Sequence, residues 1–251
     1  MGRVSGKVAI VTGGGMGMGK THSETLAAEG ATVFVTDIDE AAGKAVVDGI
    51  KASGGKAEFI KHNAASEADW NAVAATVKEK AGRLDVLVNN AGILTLKPAH
   101  ETEPDEWDQV FNVNVKGVYL GIRACVPLMK DSGGGSIVNI SSIYGIIGAP
   151  MAGAYIASKG AVRLMTKSCA VDLIEFGIRV NSVHPGVIDT PMTKDLLHGD
   201  PEVRTAIMGA TLFDRPCKPE EVSQAVLFLA SDDSSFVHGS ELVVDGGYTC
   251  N

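Results

Sequence analysis

Residues 12–21, which read Thr-Gly-Gly-Gly-Met-Gly-Met-Gly-Lys-Thr, constrain the fold more than any other stretch of the chain. They lie between an apolar run at residues 8–11 and a segment with a helical pattern. Glycine adopts backbone angles that are closed to other residues, and a helix N-terminus presents free N–H groups with a partial positive charge. A strand, a glycine-rich turn and a helix in this order therefore predict a phosphate site.

Two nucleotide chemistries fit this turn. The spacing Gly-x-x-x-Gly-x-Gly over residues 13–19 resembles the turn that binds nicotinamide dinucleotides. The spacing over residues 14–21, which ends in Lys20 and Thr21, satisfies the P-loop pattern for ATP or GTP. The turn alone does not decide between them.

Short β-branched runs alternate with helical patterns along the whole chain. Strands are predicted near residues 7–12, 31–37, 57–62, 84–90, 136–141, 178–184 and 241–245. Because parallel neighbours need right-handed crossovers, this alternation predicts an α/β chain: one doubly wound (Rossmann) domain over residues 1–251 with a seven-stranded, mostly parallel sheet. Ligands bind at the carboxyl ends of the strands in such a sheet, so residues that end strands are the candidates for a site.

Composition limits the partners and the location. A net charge of -8 opposes binding to nucleic acid and to anionic membrane surfaces. No apolar run reaches the roughly 18 residues that span a bilayer, and the first residues lack the apolar region of a signal peptide, so a cytoplasmic protein is expected. The four cysteines and six histidines show no ligand spacing, so no metal site is expected.

Asp37 ends the second predicted strand, 18 residues after Gly19. An acidic residue at this distance meets the adenosine ribose in dinucleotide sites, where its carboxylate accepts hydrogen bonds from the hydroxyls and repels a 2′-phosphate. Met16, in the turn, offers no positive charge for such a phosphate. This pattern favours NAD over NADP. The alternative role for Asp37 is to cap the next helix, which Asp39 would do equally well.

Tyr155 and Lys159 are four residues apart in a helical pattern and therefore share a helix face. A phenol with a pKa of about 10 is a poor base at neutral pH, but a nearby cation stabilises the phenolate and lowers that pKa. The pair suits removal of a proton from an alcohol. The same spacing also arises by chance on exposed helices, so its meaning depends on the motifs around it.

Those motifs occur in one order along nearly the whole chain. They are the glycine turn that starts at Thr12, Asn89-Asn90-Ala91-Gly92, Asn114, Ser142 thirteen residues before Tyr155, the Tyr155–Lys159 pair and Pro185-Gly186. Together with the ending Gly239-x-x-Leu242 through Gly247, they resemble the short-chain dehydrogenase/reductase family. Residues 129–136 and 181–186 are similar to its cyclic-alcohol and hydroxysteroid branch.

The resemblance implies hydride transfer between NAD(H) and a secondary alcohol or ketone. It implies that Tyr155 is the general acid/base and that Lys159 holds the nicotinamide ribose and lowers the pKa of Tyr155. Ser142 would stabilise the substrate oxygen, and Asn114 would hold a water beside Lys159. A non-catalytic dinucleotide-binding protein is the alternative that this intact set opposes.

The resemblance also implies a cofactor site and an assembly. The cofactor residues are Gly13, Met16, Gly17, Met18, Gly19, Asp37, Asn63, Ala64, Asn90, Ala91, Gly92, Tyr155, Lys159, Ile188 and Thr190. Asn63 departs from the aspartate that the family commonly has there, and its amide oxygen is expected to accept the bond from the adenine amino group. Long helices near residues 104–130 and 154–176 are expected to pair across subunits in a homotetramer.

Residues 186–216 are predicted to form a mobile lid over the substrate. The side chains expected to make an apolar pocket are Met192, Leu196, Leu197 and Met208 from the lid, and Ile93, Leu94, Ile143, Tyr144 and Ile147 from the strand ends. Such walls favour a small apolar alcohol or ketone, cyclic or steroidal. Core packing would explain the same residues. The remaining alternatives are a reductase for another carbonyl, such as a 3-oxoacyl group or a sugar, and a P-loop nucleotide-binding protein.

Overall fold

Seven parallel strands form one sheet in the order β3-β2-β1-β4-β5-β6-β7 in the computed structural model, which describes residues 2–250. The strands are β1 (Val8–Thr12), β2 (Thr32–Asp37), β3 (Lys56–Lys61), β4 (Val86–Asn89), β5 (Gly135–Ile140), β6 (Ile178–Pro185) and β7 (Glu241–Val244). Every neighbouring pair is parallel. The predicted α/β fold with a seven-stranded sheet is confirmed.

Helices make the crossovers between the strands. They are α1 (Gly17–Ala28), α2 (Glu40–Ala52), α3 (Glu67–Ala81), α4 (Pro104–Phe111), α5 (Gly117–Asp131), α6 (Gly153–Leu173), α7 (Lys194–His198), α8 (Pro201–Met208) and α9 (Pro219–Ala230). Two apolar cores lie on opposite faces of the sheet, one around Val11, Val35 and Val226 and the other around Ile10, Phe34 and Trp70. Consecutive residues of β1 enter different cores, so residues 8–11 are all apolar, as expected of a strand covered on both faces.

The strand order reverses between β1 and β4. From β1 the chain builds outward to β3, then returns to β4 on the other side of β1 and builds outward to β7. Crossovers on the two halves therefore leave the sheet in opposite directions, and a crevice opens at the carboxyl ends of β1 and β4. The glycine-rich turn follows β1, and Asn89 ends β4.

The helix predicted near residues 104–130 is interrupted. A π-helical turn, Asn112–Lys116, separates α4 from α5. Within this turn, the side chain of Asn114 bonds both the N–H and the carbonyl of Ile93, at 2.8 and 2.9 Å. Such turns recur at functional sites.

Among residues 2–250, none of the helices combines the length and apolar character of a membrane span.

Candidate active site

The glycine-rich turn packs against Asp37 at the end of β2. The Asp37 carboxylate accepts hydrogen bonds from the Gly15 N–H at 2.8 Å and from the Asp39 N–H at 2.9 Å. Asp39 itself caps α2 by accepting from the Ala42 N–H at 3.0 Å. The capping alternative for Asp37 is therefore wrong, and its carboxylate holds the turn instead.

The turn has the shape that a phosphate requires. A Cβ at Gly19 would lie 2.0 Å from the carbonyl oxygen of Gly13, so no side chain fits there. Gly13 and Gly17 have φ values of 60° and 51°, which favour glycine. Met16, the N-cap of α1, makes no side-chain bond to the helix, which leaves the first N–H groups of α1 for a ligand.

The two side chains that complete the P-loop pattern lie elsewhere. Lys20 is exposed and lies 3.9 Å from Glu24, one turn along the outer surface of α1. The hydroxyl of Thr21 is buried, where it donates to the Met18 carbonyl at 2.9 Å and accepts from Ser223 of α9 at 2.9 Å. Thr21 therefore serves helix packing, not a metal ion, and the P-loop interpretation is wrong.

A cavity of ≈150 Å³ lies beside the turn and collects most of the predicted cofactor residues. Those that line it are Gly13, Met16, Gly17, Met18, Gly19, Asn90, Ala91, Gly92, Tyr155, Lys159 and Thr190, joined by Ile140, Ser141, Pro191 and Met192. Asp37, Asn63, Ala64 and Ile188 lie outside its wall. The cavity runs from the N-terminus of α1 to α6, so it joins an anion site to the Tyr155–Lys159 pair.

Thr12 fixes the β4 side of this cavity, and the sequence interpretation gave it no such role. Its Oγ1 accepts from the N–H groups of Asn90 and Ala91, each at 2.9 Å. The Asn90 side chain returns a bond to the Thr12 carbonyl at 2.9 Å. The ends of β1 and β4 are thus tied together beyond the last ladder bond. A threonine at the last position of the first strand is the signal that would have indicated this role.

Asn63 and Ala64 form a closed turn after β3. The Asn63 side-chain oxygen accepts from the Ala65 N–H at 3.0 Å, and the Asn63 N–H donates to Asp69 at 2.9 Å. The Ala64 carbonyl accepts from the Trp70 indole at 2.9 Å. An amide oxygen has two lone pairs, so Asn63 retains one for a ligand.

Tyr155 and Lys159 lie on the same face of α6, as predicted, with the ammonium 5.6 Å from the phenol ring centroid. Burial raises the pKa of Tyr155, and a hydrogen bond from Ser142 lowers it by a smaller amount. Burial lowers the pKa of Lys159 to about 8. The direction at Tyr155 is opposite to the one expected from a neighbouring cation. Desolvation disfavours the charged form of both groups and dominates at this site.

The Lys159 ammonium is held at the end of β5, where it donates to the Ile140 carbonyl at 2.9 Å. Asn114 lies beside it: a Cβ at Gly92 would be 3.4 Å from both the Asn114 oxygen and the Lys159 nitrogen. The Asn114 amide also donates to Ser158 at 3.0 Å. The structure therefore brings Asn114, Lys159 and Gly92 together.

The segment after β6 forms another part of the wall of this cavity. Ile188 is buried, and its carbonyl accepts a hydrogen bond from the Thr193 hydroxyl. Thr190 contacts the same hydroxyl through its N–H at 3.1 Å and its own Oγ1 at 3.2 Å. Thr193 thus holds the Ile188–Thr190 loop, which borders the cavity of ≈150 Å³ through Thr190.

A second, apolar cavity of ≈80 Å³ meets Ser142 and Tyr155 from the other side. Its lining residues are Leu94, Leu96, Ser142, Ile143, Tyr144, Tyr155, Gly186, Val187, Met192, Thr193, Leu196 and Ile207. Five predicted wall residues are among them: Leu94, Ile143, Tyr144, Met192 and Leu196. Leu197 is instead in the core, and Ile93, Ile147 and Met208 lie outside the wall, while Leu96, Val187 and Ile207 were missed. Leu196, Leu197, Ile207 and Met208 lie on helices of five and eight residues, which are too short for an apolar periodicity that separates wall from core.

Metal ligands do not cluster here. Within residues 2–250, no group of three or more His, Cys, Asp or Glu side chains is placed to hold a metal ion.

Comparisons with known proteins agree with this geometry. Residues 13–249 match the family model described as enoyl-(acyl carrier protein) reductase. The chain is 58% identical over 251 residues to the cyclopentanol dehydrogenase of Comamonas testosteroni, with 100% of both chains covered. It is 45% identical over 246 residues to the 3-alpha-(or 20-beta)-hydroxysteroid dehydrogenase of Mycobacterium tuberculosis, which covers 98% of this chain and 90% of the relative.

A solved structure shares the fold of this chain. It is a gluconate 5-dehydrogenase candidate from Beutenbergia cavernae, described as NAD(P) dependent and crystallised with NADP at low occupancy. It superposes with a TM-score of 0.93 at 35% identity and covers 99% of this chain and 98% of its own. The cofactor of this chain is accordingly a nicotinamide dinucleotide. The chain belongs to the short-chain dehydrogenase/reductase family.

Proposed function

We propose that this chain is an NAD-dependent dehydrogenase that oxidises small cyclic secondary alcohols and reduces the corresponding ketones. The observation that carries this proposal is the apolar cavity whose polar end is formed by Ser142 and Tyr155. The cyclopentanol and hydroxysteroid dehydrogenases among its relatives act, by their names, on ring alcohols. A cavity of ≈80 Å³ is well below the roughly 300–1,000 Å³ of pockets for drug-sized ligands, which favours a single ring over a steroid.

The residues present fit a dinucleotide. We assign the pyrophosphate to the turn at residues 13–19, the adenosine ribose to Asp37, and the adenine to Asn63 and Ala64. Asn90, Ala91 and Gly92 would border the ribose, Lys159 would hold the nicotinamide ribose, and Ile188 with Thr190 would bind the carboxamide. When bound, the dinucleotide supplies a nicotinamide that accepts a hydride from the carbinol carbon or returns it to the ketone.

The proton moves through Tyr155. In oxidation, the phenolate oxygen takes the hydroxyl proton of the alcohol while the hydrogen on the same carbon leaves with the C–H electron pair, as a hydride, and the C=O bond forms; reduction is the reverse. General acid–base catalysis of this kind contributes about 10²–10⁴-fold. Ser142 donates to the substrate oxygen and stabilises its developing charge, and its loss would cost about 10²–10³-fold in rate.

Lys159 keeps a proton available beside Tyr155. Its pKa of about 8 is close to neutral pH, so the ammonium loses or regains a proton at little cost in free energy. Asn114, bonded to Ile93 and Ser158, provides the polar neighbour at which we place the water of a proton path. We also propose that residues 186–216 act as a lid, because Met192 and Leu196 cover the cavity from this segment.

A substrate panel tests the proposed function. With NAD, the chain is expected to oxidise cyclopentanol and cyclohexanol with a higher kcat/KM than a hydroxysteroid, because the cavity of ≈80 Å³ suits one ring. The measurement is NADH absorbance over a panel that also contains sugars, 3-hydroxyacyl thioesters and linear alcohols. Turnover confined to sugars or acyl thioesters would reject the proposal.

Replacement of the phenol tests the mechanism. Tyr155→Phe removes only the proton-transfer group, so we expect kcat for cyclopentanol to fall about 10²–10⁴-fold while the Kd for NADH, measured by fluorescence titration, changes little. Tyr119→Phe is the matched control, since Tyr119 is exposed on α5 and bonds only Arg123 in the described contacts. Near-normal turnover by Tyr155→Phe would remove Tyr155 from its role.

The choice of NAD over NADP rests on the charge of Asp37. Its oxygens lie at the end of β2, next to the turn, and would repel a 2′-phosphate; NADP bound in the solved relative makes NADP the competing cofactor. For Asp37→Asn we expect the ratio of kcat/KM for NADP to that for NAD to rise about tenfold or more, since hydrogen bonds to a charged group contribute about 1.5–3 kcal/mol. Asp39→Asn is the control, and an equal change in both variants would place the selectivity elsewhere.

We propose a homotetramer assembled through α4, α5 and α6. The outer face of α6 exposes Leu164 and Val171 to 65% and 78%, and Ile174, directly after α6, is 54% exposed. An apolar patch of this kind indicates an interface. Light scattering is expected to give four times the chain mass of 26.0 kDa. Val171→Asp should lower that mass, unlike the control Val203→Asp on α8; a native monomer at micromolar concentration would contradict the proposal.

A further inference from the structure

His184 is a buried histidine near the end of β6 that the mechanism above does not use. Its Nδ1 lies 2.9 Å from the carbonyl oxygen of Ser142, and its Nε2 lies 2.8 Å from the hydroxyl of Ser182. The side chain is 0% exposed. It therefore connects β6 directly to the residue that we place at the substrate oxygen.

The two contacts determine which ring nitrogen of His184 carries the proton. A carbonyl oxygen only accepts, so Nδ1 must be the donor to Ser142. The Ser182 hydroxyl both donates and accepts, so it donates to the unprotonated Nε2. Burial lowers the pKa of His184, which keeps the ring neutral. The contacts specify one state, a neutral imidazole with its proton on Nδ1.

Ser142 lies just beyond the point where the sheet holds the backbone. The β5–β6 pairing ends at Ile140 and Val183, and the last ladder bond runs from the Ser141 N–H to the Val183 carbonyl at 2.9 Å. The Ser142 carbonyl accepts a hydrogen bond from the His184 ring. It accepts a second one, at 2.9 Å, from the Gly145 N–H of the short 3-10 turn that follows. Without His184, only a three-residue turn would orient this peptide.

The serine hydroxyl depends on the same peptide. Its Oγ accepts from the Tyr144 N–H at 3.1 Å, within the turn that Ser142 caps. Ser142 and Tyr155 line the same cavity, and Ser142 lowers the pKa of the Tyr155 phenol. A rotation of the Ser142 peptide would therefore move Oγ relative to the Tyr155 oxygen.

We infer that His184 is a positioning residue for the reaction: its Nδ1–H holds the Ser142 carbonyl so that the Ser142 hydroxyl stays aligned with Tyr155. This inference rests on the proposed function. Since the ladder next to His184 is made by backbone groups of Ser141 and Val183, the sheet needs no imidazole there. The charged groups that act on the ring are Glu241 from β7 and Arg163 and Lys159 from α6.

Three substitutions at one position separate positioning from packing. Asn places its amide nitrogen where Nδ1 lies, so His184→Asn keeps the donor to Ser142. His184→Gln places its amide near the Nε2 position and His184→Leu has no donor, so both lose that bond. We expect kcat for cyclopentanol to fall about tenfold or more in His184→Gln and His184→Leu, since small misplacements of reacting groups are costly. His184→Asn should stay within a few-fold of the native kcat.

The cofactor gives the independent readout. NADH affinity, measured by fluorescence titration, should be nearly equal in all three variants, since the loss lies in kcat. Equal losses in the Asn, Gln and Leu variants, or equal native activity in all three, would overturn the inference. If the native protein turned over no alcohol at all, the proposed function would fail, and the next measurement would still test the tautomer.

The native protein provides a test that needs no variant. With ¹⁵N-labelled histidine, the side-chain nitrogen shifts distinguish a protonated Nδ1 from a protonated Nε2, and His184→Asn assigns the His184 signals among the six histidines. A neutral ring protonated on Nδ1 is expected. A ring protonated on Nε2 would mean that His184 does not hold the Ser142 carbonyl, and the inference would be wrong.

Discussion

The site depends on one constraint, which is that backbone ladder bonds stop where parallel strands end. Beyond that edge, buried N–H and carbonyl groups need other partners, since an unpaired one is costly. Side chains supply them here: Thr12 for Asn90 and Ala91, Asp37 for Gly15, Asn114 for Ile93, Lys159 for Ile140 and His184 for Ser142. The polar groups that complete the sheet are largely the groups that we assign to chemistry.

This double use explains what the sequence predicts well. Continuous apolar runs such as that of β1 indicate covered parallel strands, and residues that end strands must meet at one edge. Asp37, Asn90 and Ser142 were predicted on that basis together with the family resemblance. Spacing within a helix likewise placed Lys159 beside Tyr155.

Other features depend on tertiary contacts that no local pattern encodes. The π-helical turn at Asn114 fits a bond to Ile93, which lies 21 positions earlier. In the sequence, His184 is one more residue of a predicted strand. Its contact with the Ser142 carbonyl, 42 positions away, is visible only in the structure. Val187 follows β6 and Ile207 lies on the short helix α8, and no local pattern shows that the two residues meet in the pocket wall. The pKa direction of Tyr155 was missed because burial, which a sequence does not give, outweighs the neighbouring charge.

Burial determines the charge of the site. It raises the pKa of Tyr155 and lowers that of Lys159 to about 8, and so favours the neutral form of both groups. Ser142 opposes the effect of burial at Tyr155, because it lowers the pKa of the phenol. The position of the Ser142 hydroxyl therefore affects how readily Tyr155 loses a proton. A neutral imidazole suits the task of holding it, since it supplies a donor without adding a second cation beside the phenol.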